Sequence, residues 1–204
     1  MAIIPLFPLQ TTLFPGSHLP LRIFEVRYLD LIKKCIADGT QFGVVALLSG
    51  GEVRTPQGGE VLAAHGTMAR IDAWEAPMPG LLHVKCSGTT RFALSGSTVG
   101  KYGLWHGEAA ELAEDSRVPI PAALQAAANR LGSLITELQK NRVPAEEMPI
   151  SRPYLLDECG WVANRWGELL PLPVAEKQLL LAMDDPAARL AWVHNYLSAK
   201  NLLS

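Results

Sequence analysis

The pattern of apolar positions changes period near the middle of the chain. In the first half, short apolar or alternating runs are separated by glycines; after Pro121, apolar residues recur every three or four positions. Residues 3–7 predict a strand, with Pro5 and Pro8 marking it as an edge or irregular one. Phe14-Pro-Gly-Ser reads as a turn. Phe24, Tyr28, Leu31, Ile32 and Cys35 then recur at helical spacing and predict a helix over residues 22–37, with Gly39 placed to cap it. The continuous apolar run 42–48 predicts a buried strand, and Gly50-Gly51 and Gly58-Gly59 suit tight turns. Residues 66–74, 81–86, 91–94 and 104–112 supply further short strands. Strands in this number, with one helix among them, suggest a compact barrel with few open edges.

The second half predicts helices. Leu124, Ala128, Leu131, Ile135 and Leu138 form one stripe, and residues 161–170, 174–182 and 187–197 three more helices. Asp185-Pro186 places an acidic cap and a first-turn proline at the last of them. Only Gly132, Gly160 and Gly167 follow Gly107, in keeping with a β-dominated part and then a helical one. The expected division is an α+β chain with a barrel over 1–115, a Pro-containing hinge at 114–121 and a helical bundle over 122–204.

Composition narrows the function classes. At 204 residues, 49% hydrophobic and 19% charged, the chain needs neither disulfides nor a metal to stabilise its core. The net charge is −2, and neither half is a polycation, so strong non-specific binding to nucleic acid is not expected. Cys35, Cys86 and Cys159 are odd in number and far apart, which fits a reducing compartment. The apolar N-terminus has no basic residue before it and is broken by proline, unlike a signal peptide, and no apolar run reaches membrane-spanning length. A cytoplasmic location is expected, without membrane contact.

Sequence signatures of catalysis are missing. There is no P-loop, no Gly-x-Gly-x-x-Gly, no His-Glu-x-x-His and no Gly-x-Ser-x-Gly. His18, His65, His83, His106 and His194 have no second His or Cys within five residues, so local zinc spacing is lacking. His83 reads as a partly exposed strand residue sharing a face with Leu81 and Lys85. A Ser/His/Asp triad assembled across distant segments is the weaker alternative. Glu25, Arg27, Phe24 and Tyr28 are expected to make an ion-paired helix start with both rings packed inward. Glu146-Glu147 and Asp184-Asp185 read as surface or helix-start charge rather than a facing carboxylate pair. Trp161, Trp166 and Trp192 read as core, with Arg165 and Arg189 available for ion pairs. No catalytic, metal or cofactor-binding residue is assigned.

The most suggestive local segment is 74–82, Trp-Glu-Ala-Pro-Met-Pro-Gly-Leu-Leu. Pro77, Pro79 and Gly80 make it a hairpin loop, yet it carries Trp74, Met78, Leu81 and Leu82, and an apolar loop is a candidate docking surface. On this reading Met78→Ala with Leu82→Ala is expected to weaken binding and leave stability nearly unchanged.

Several segments occur in an order that resembles a known family. They are Ile4-Pro-Leu-Phe-Pro-Leu, Leu13-Phe-Pro-Gly-Ser, Leu19-Pro-Leu-Arg-Ile-Phe-Glu-Val-Arg-Tyr, Phe42-Gly-Val-Val, Gly66-Thr-Met-Ala-Arg-Ile and Gly88-Thr-Thr-Arg-Phe. Together they resemble the N-terminal, substrate-binding domain of the Lon protease. Ala163-Asn-Arg-Trp-Gly-Glu-Leu-Leu-Pro-Leu and Lys177-Gln-Leu-Leu-Leu are similar to its helical part. The resemblance implies a PUA-like β-barrel with an inserted helix, followed by a helical bundle, and a polypeptide or protein partner. Val26 departs from the family's usual proline, and His65 stands where an apolar residue is usual. The sequence contains neither Lon's P-loop ATPase nor its Ser-Lys protease domain, so protease activity is not implied. The leading expectation is non-catalytic binding of unfolded or flagged polypeptide segments. The alternatives are an RNA-binding PUA-like module and, behind it, a small-molecule enzyme using the cleft between barrel and helices.

Overall fold

A computed structural model describes residues 1–52, 59–144, 148–150 and 152–203. Gly58 and the Glu146-Glu147 pair lie outside the described residues. Six strands and five helices are present among those described: β1 (Ala2–Leu9), β2 (His18–Ile23), α1 (Val26–Asp38), β3 (Phe42–Ser49), β4 (Val61–Met78), β5 (Leu81–Val99), β6 (Trp105–Glu111), α2 (Gln125–Lys140), α3 (Cys159–Leu169), α4 (Val174–Ala182) and α5 (Pro186–Ala199). The fold is α+β, with all strands in the first part and four helices in the second.

The strands form one sheet in the order β2-β5-β4-β3-β1-β6, and β5 also pairs with β6. That extra pairing closes a barrel. It is possible because β5 is long: residues 82–87 pair with β2, and residues 92–99 with β6. The short predicted strands 81–86 and 91–94 are therefore two stretches of one strand. β1 also changes partner along its length. Residues 2–6 run antiparallel to β6, and residues 6–9 run parallel to β3. Pro5 and Pro8 each fall where β1 has a strand on one side only, where a ring nitrogen that cannot donate is tolerated.

One predicted boundary is corrected. The helix expected over 22–37 begins at Val26, and Arg22 and Ile23 belong to β2. His18, Pro20 and Arg22 point outward in β2 while Leu21 and Ile23 are buried, a period-two pattern. Helix α1 ends at Gly39 as expected. Phe42, Val44, Ile32 and Tyr28 meet in the barrel core, where Phe7 stacks on Tyr28 at 4.1 Å between ring centroids. Gly66 is required by packing: a Cβ there would lie 2.3 Å from the Phe92 ring and 2.5 Å from the Val44 carbonyl oxygen.

Helices α2, α3 and α5 bury Leu131, Ile135, Val162, Trp166, Leu190 and Val193 in a second core. Trp161 and Trp192 pack against it partly buried, so the tryptophans belong to the core as expected. The Asp185 carboxylate accepts from the Ala187 N–H at 2.9 Å and caps α5.

Phe14, from the β1–β2 connection, is buried in this helical core rather than in the barrel. Around it, the Arg165 guanidinium donates to the Pro15 and Gly16 carbonyls at 2.6 and 2.7 Å and to Ser17 Oγ at 2.9 Å. A second buried arginine, Arg189, donates to both Asp115 carboxylate oxygens at 2.6 and 3.0 Å and to Asn164 at 3.0 Å. Arg91 reaches from β5 to the Leu181 carbonyl at 2.9 Å and to Asp115 at 3.2 Å. Barrel and helices are thus joined by three arginines whose donors satisfy buried carbonyls and carboxylates.

Candidate functional site

Residues 74–82 are the end of the β4–β5 hairpin, and not a loop as expected. Strand pairing continues to Met78 opposite Leu81, leaving only Pro79 and Gly80 to turn the chain. Proline fixes its own φ, and Gly80 takes the positive φ of 81° that the reversal needs. Apart from its two chain neighbours, no described residue comes within 4 Å of where a Gly80 Cβ would stand, so the tip projects from the molecule.

The strand geometry then sorts the four predicted residues. Trp74 is 53% exposed and Met78 59%. Leu81, in register with Met78, is half-buried beside it. Leu82 is only 5% exposed and belongs to the barrel core with Val84 and Ile23. The placement of Leu82 on the docking surface is corrected by alternation: along β5, residues 82, 84 and 86 face inward, and 81, 83 and 85 are directed outward. Phe24 is also corrected. Expected to pack inward with Tyr28, it is 61% exposed, one position beyond the Ile23–Leu82 pair, and so adds to the apolar surface near Leu81. The expected ion pair does form, Arg27 to Glu25 at 2.9 Å.

Beside this apolar tip lies a groove of about 770 Å³ on the three strands β2, β5 and β4. Its walls include Pro20, Arg22, Trp74, Glu75, His83 and Lys85. Two cross-strand rows make its floor: Arg22, His83 and Glu75 in one, Pro20, Lys85 and Ala73 in the next. His83 Nδ1 is 2.9 Å from the Glu75 carboxylate, and its Nε2 is buried without a hydrogen-bond partner among the described residues. Pro20 and Arg22 were missed in the sequence because β2 was not recognised as a strand. The signal was present in the alternation of His18, Pro20 and Arg22 with Leu19, Leu21 and Ile23.

In the next row, made of His18, Ser87 and Arg70, Asp72 reaches in from the neighbouring bulge, so serine, histidine and aspartate meet, but not as a triad. The Ser87 hydroxyl donates to Asp72, and Ser87 Oγ lies 3.2 Å from His18 Nδ1. In a nucleophilic triad the carboxylate holds the histidine and the histidine takes the serine proton; here the carboxylate holds the serine. Among the described residues no group of three His, Cys, Asp or Glu is placed to hold a metal ion. Nor is any described helix long and apolar enough to cross a membrane. Asp184 and Asp185 serve structure: Asp184 lies 3.5 Å from Arg91, and Asp185 caps α5.

Comparison with known proteins adds to this geometry. Residues 3–199 match the family described as the ATP-dependent protease La (LON) substrate-binding domain. The crystal structure of a Lon N-terminal domain protein from Xanthomonas campestris is 33% identical, with a TM-score of 0.76, covering 96% of this chain and 99% of that one. The N-terminal domain of a Mycobacterium avium complex Lon protease shares the fold at 18% identity and a TM-score of 0.61, covering 97% of this chain and 98% of that one. No curated protein matches.

Proposed function

Since the chain belongs to the family of LON substrate-binding domains, we propose that it is a non-catalytic module that holds exposed apolar segments of polypeptide at the β4–β5 hairpin tip. The observation that carries this reading is the exposure of Trp74 and Met78, two large apolar side chains each more than half exposed, on the last residues of β4 before a projecting turn. Isolated exposed apolar residues are ordinary, but Phe24 and Leu81 lie on the same face as Met78 and make a patch with it. Methionine suits such a surface, because its unbranched thioether adapts to varied partners. The closed barrel with α1 between β2 and β3 supports the PUA-like reading of the first part. The cytoplasmic reading is supported by three cysteines that are all free and buried.

The test is fluorescence anisotropy of the whole chain against a labelled, permanently unfolded polypeptide, with a labelled RNA in parallel. Saturable polypeptide binding is expected. Trp74→Ala with Met78→Ala should weaken it about ten-fold or more, since truncating exposed anchors of this kind typically costs at least about 1–2 kcal/mol. Unchanged affinity in the double variant would move the site elsewhere; steeply salt-sensitive binding of the RNA alone would replace the reading.

A further inference from the structure

The groove beside the hairpin tip carries charge that its own carboxylates do not neutralise. On the outward face of β2, β5 and β4, Glu75 is held by His83 at 2.9 Å. Asp72 is held by Arg70 at 2.9 Å and by the Ser87 hydroxyl. That leaves Arg22 and Lys85, both exposed, both lining the groove, and neither engaged in an ion pair or hydrogen bond among the described residues. Arg22 pairs in register with His83 and Lys85 with Pro20, so the two cations are diagonal neighbours on one face, roughly 7–8 Å apart at the backbone. Their long side chains span that distance and can meet at one acceptor. Pro20 between them offers an apolar surface, and on the same face Leu81 and Met78, opposite each other, lie one row beyond Arg22, His83 and Glu75.

From this charge complementarity we infer that the groove selects polypeptide segments in which a carboxylate side chain stands next to the apolar residue seated on Leu81 and Met78. The inference rests on the polypeptide-binding reading and gives it a specificity. The carboxylate lies between the Arg22 guanidinium and the Lys85 ammonium while its apolar neighbour covers Leu81 and Met78. A phosphate backbone fits less well: two free cations do not make a track, the face also carries Glu75 and Asp72, and the whole chain is negative at −2.

Three labelled peptides identical except for Glu, Gln or Lys beside a single Leu-Trp pair test this against the whole chain. Affinity should fall in the order Glu, Gln, Lys, by roughly three- to five-fold at each step, as for an exposed ion pair, and the differences should collapse at high salt. Arg22→Gln with Lys85→Gln should erase the preference for Glu over Gln. Both residues are exposed, and an unaltered thermal transition confirms that the fold is intact. Equal binding of the Glu and Gln peptides, or a preference that survives the double variant, overturns the inference and leaves polypeptide binding standing. Binding of none of the three overturns both. An RNA that displaces the Glu peptide through Arg22 and Lys85 would assign the cations to phosphate instead.

Discussion

At the scale of single residues, one strand decides which side chains are free to bind and which hold the barrel. Met78 and Leu82 are close in sequence and chemically alike, yet the first is 59% exposed and the second 5%. Their truncations should separate cleanly. Met78→Ala is expected to change the urea midpoint little, within about 0.5 kcal/mol, whereas Leu82→Ala removes core contacts and should cost about 2–5 kcal/mol. Chemical denaturation followed by far-UV circular dichroism checks both. The sequence showed these residues as an apolar cluster but not their division. That division depends on where strand pairing ends, and Pro77 and Pro79 made it look as though pairing ended before Met78. Glu25 and Arg27 were readable as a local pair because they are two positions apart. Arg165 and Asp115 were not, since their partners lie 149 and 74 positions away in the chain.

At the scale of elements, periodicity was most reliable where one face alone is buried. Helix α4 matches its predicted span of 174–182, and the α2 stripe places Ala128, Leu131 and Ile135 in the core. Asp185-Pro186 likewise announced the start of α5, because a cap is a property of adjacent residues. Asp185→Ala should therefore lower stability by about 1 kcal/mol, read as a shift in the thermal midpoint, while Asp185→Asn should recover most of it. The β elements were recognised but their lengths were not. Strands β4 and β5 each run past register shifts that interrupt the alternation, at residues 71–73 and 94–96 among others, and one long strand then reads as several short ones. Strand β2 was overlooked because its six residues merge, in sequence, into the helical pattern that begins at Phe24.

At the scale of the whole molecule, the junction of barrel and helices is built from charge. Segments 1–115 and 122–204 are expected to unfold together, since Phe14 sits in the helical core and Arg165 holds the turn that carries it. Arg165→Met leaves the Pro15 and Gly16 carbonyls without their guanidinium donor and the Glu168 carboxylate without its ionic partner, and should cost about 3–5 kcal/mol. Coincident fluorescence and circular dichroism transitions in the parent chain would verify the coupling. Glu168 adds a pH dependence. Burial raises its pKa above the usual carboxylate range, with Arg165, Ser17, His18 and Lys177 acting in the opposite direction. The folded state thus holds this proton more tightly than the unfolded one. The stability linked to it is fully present below the ordinary carboxylate pKa and is lost as pH rises through the raised value. Glu168→Gln keeps an acceptor for the Ser17 hydroxyl and should flatten that decline in a series of urea midpoints.

The order in which strands are made differs from the order in which they pair. β1 is translated first, but its N-terminal residues pair with 105–109, about a hundred positions later. At ordinary rates of synthesis that interval is on the order of 5–20 s. Throughout it, the N-terminal half of β1 lacks its β6 partner, next to identical strands on neighbouring ribosomes. Pro5 and Pro8 interrupt the ladder such copies need in order to join. The residues that make β1 irregular in the finished barrel are thereby its protection against aggregation before the barrel exists.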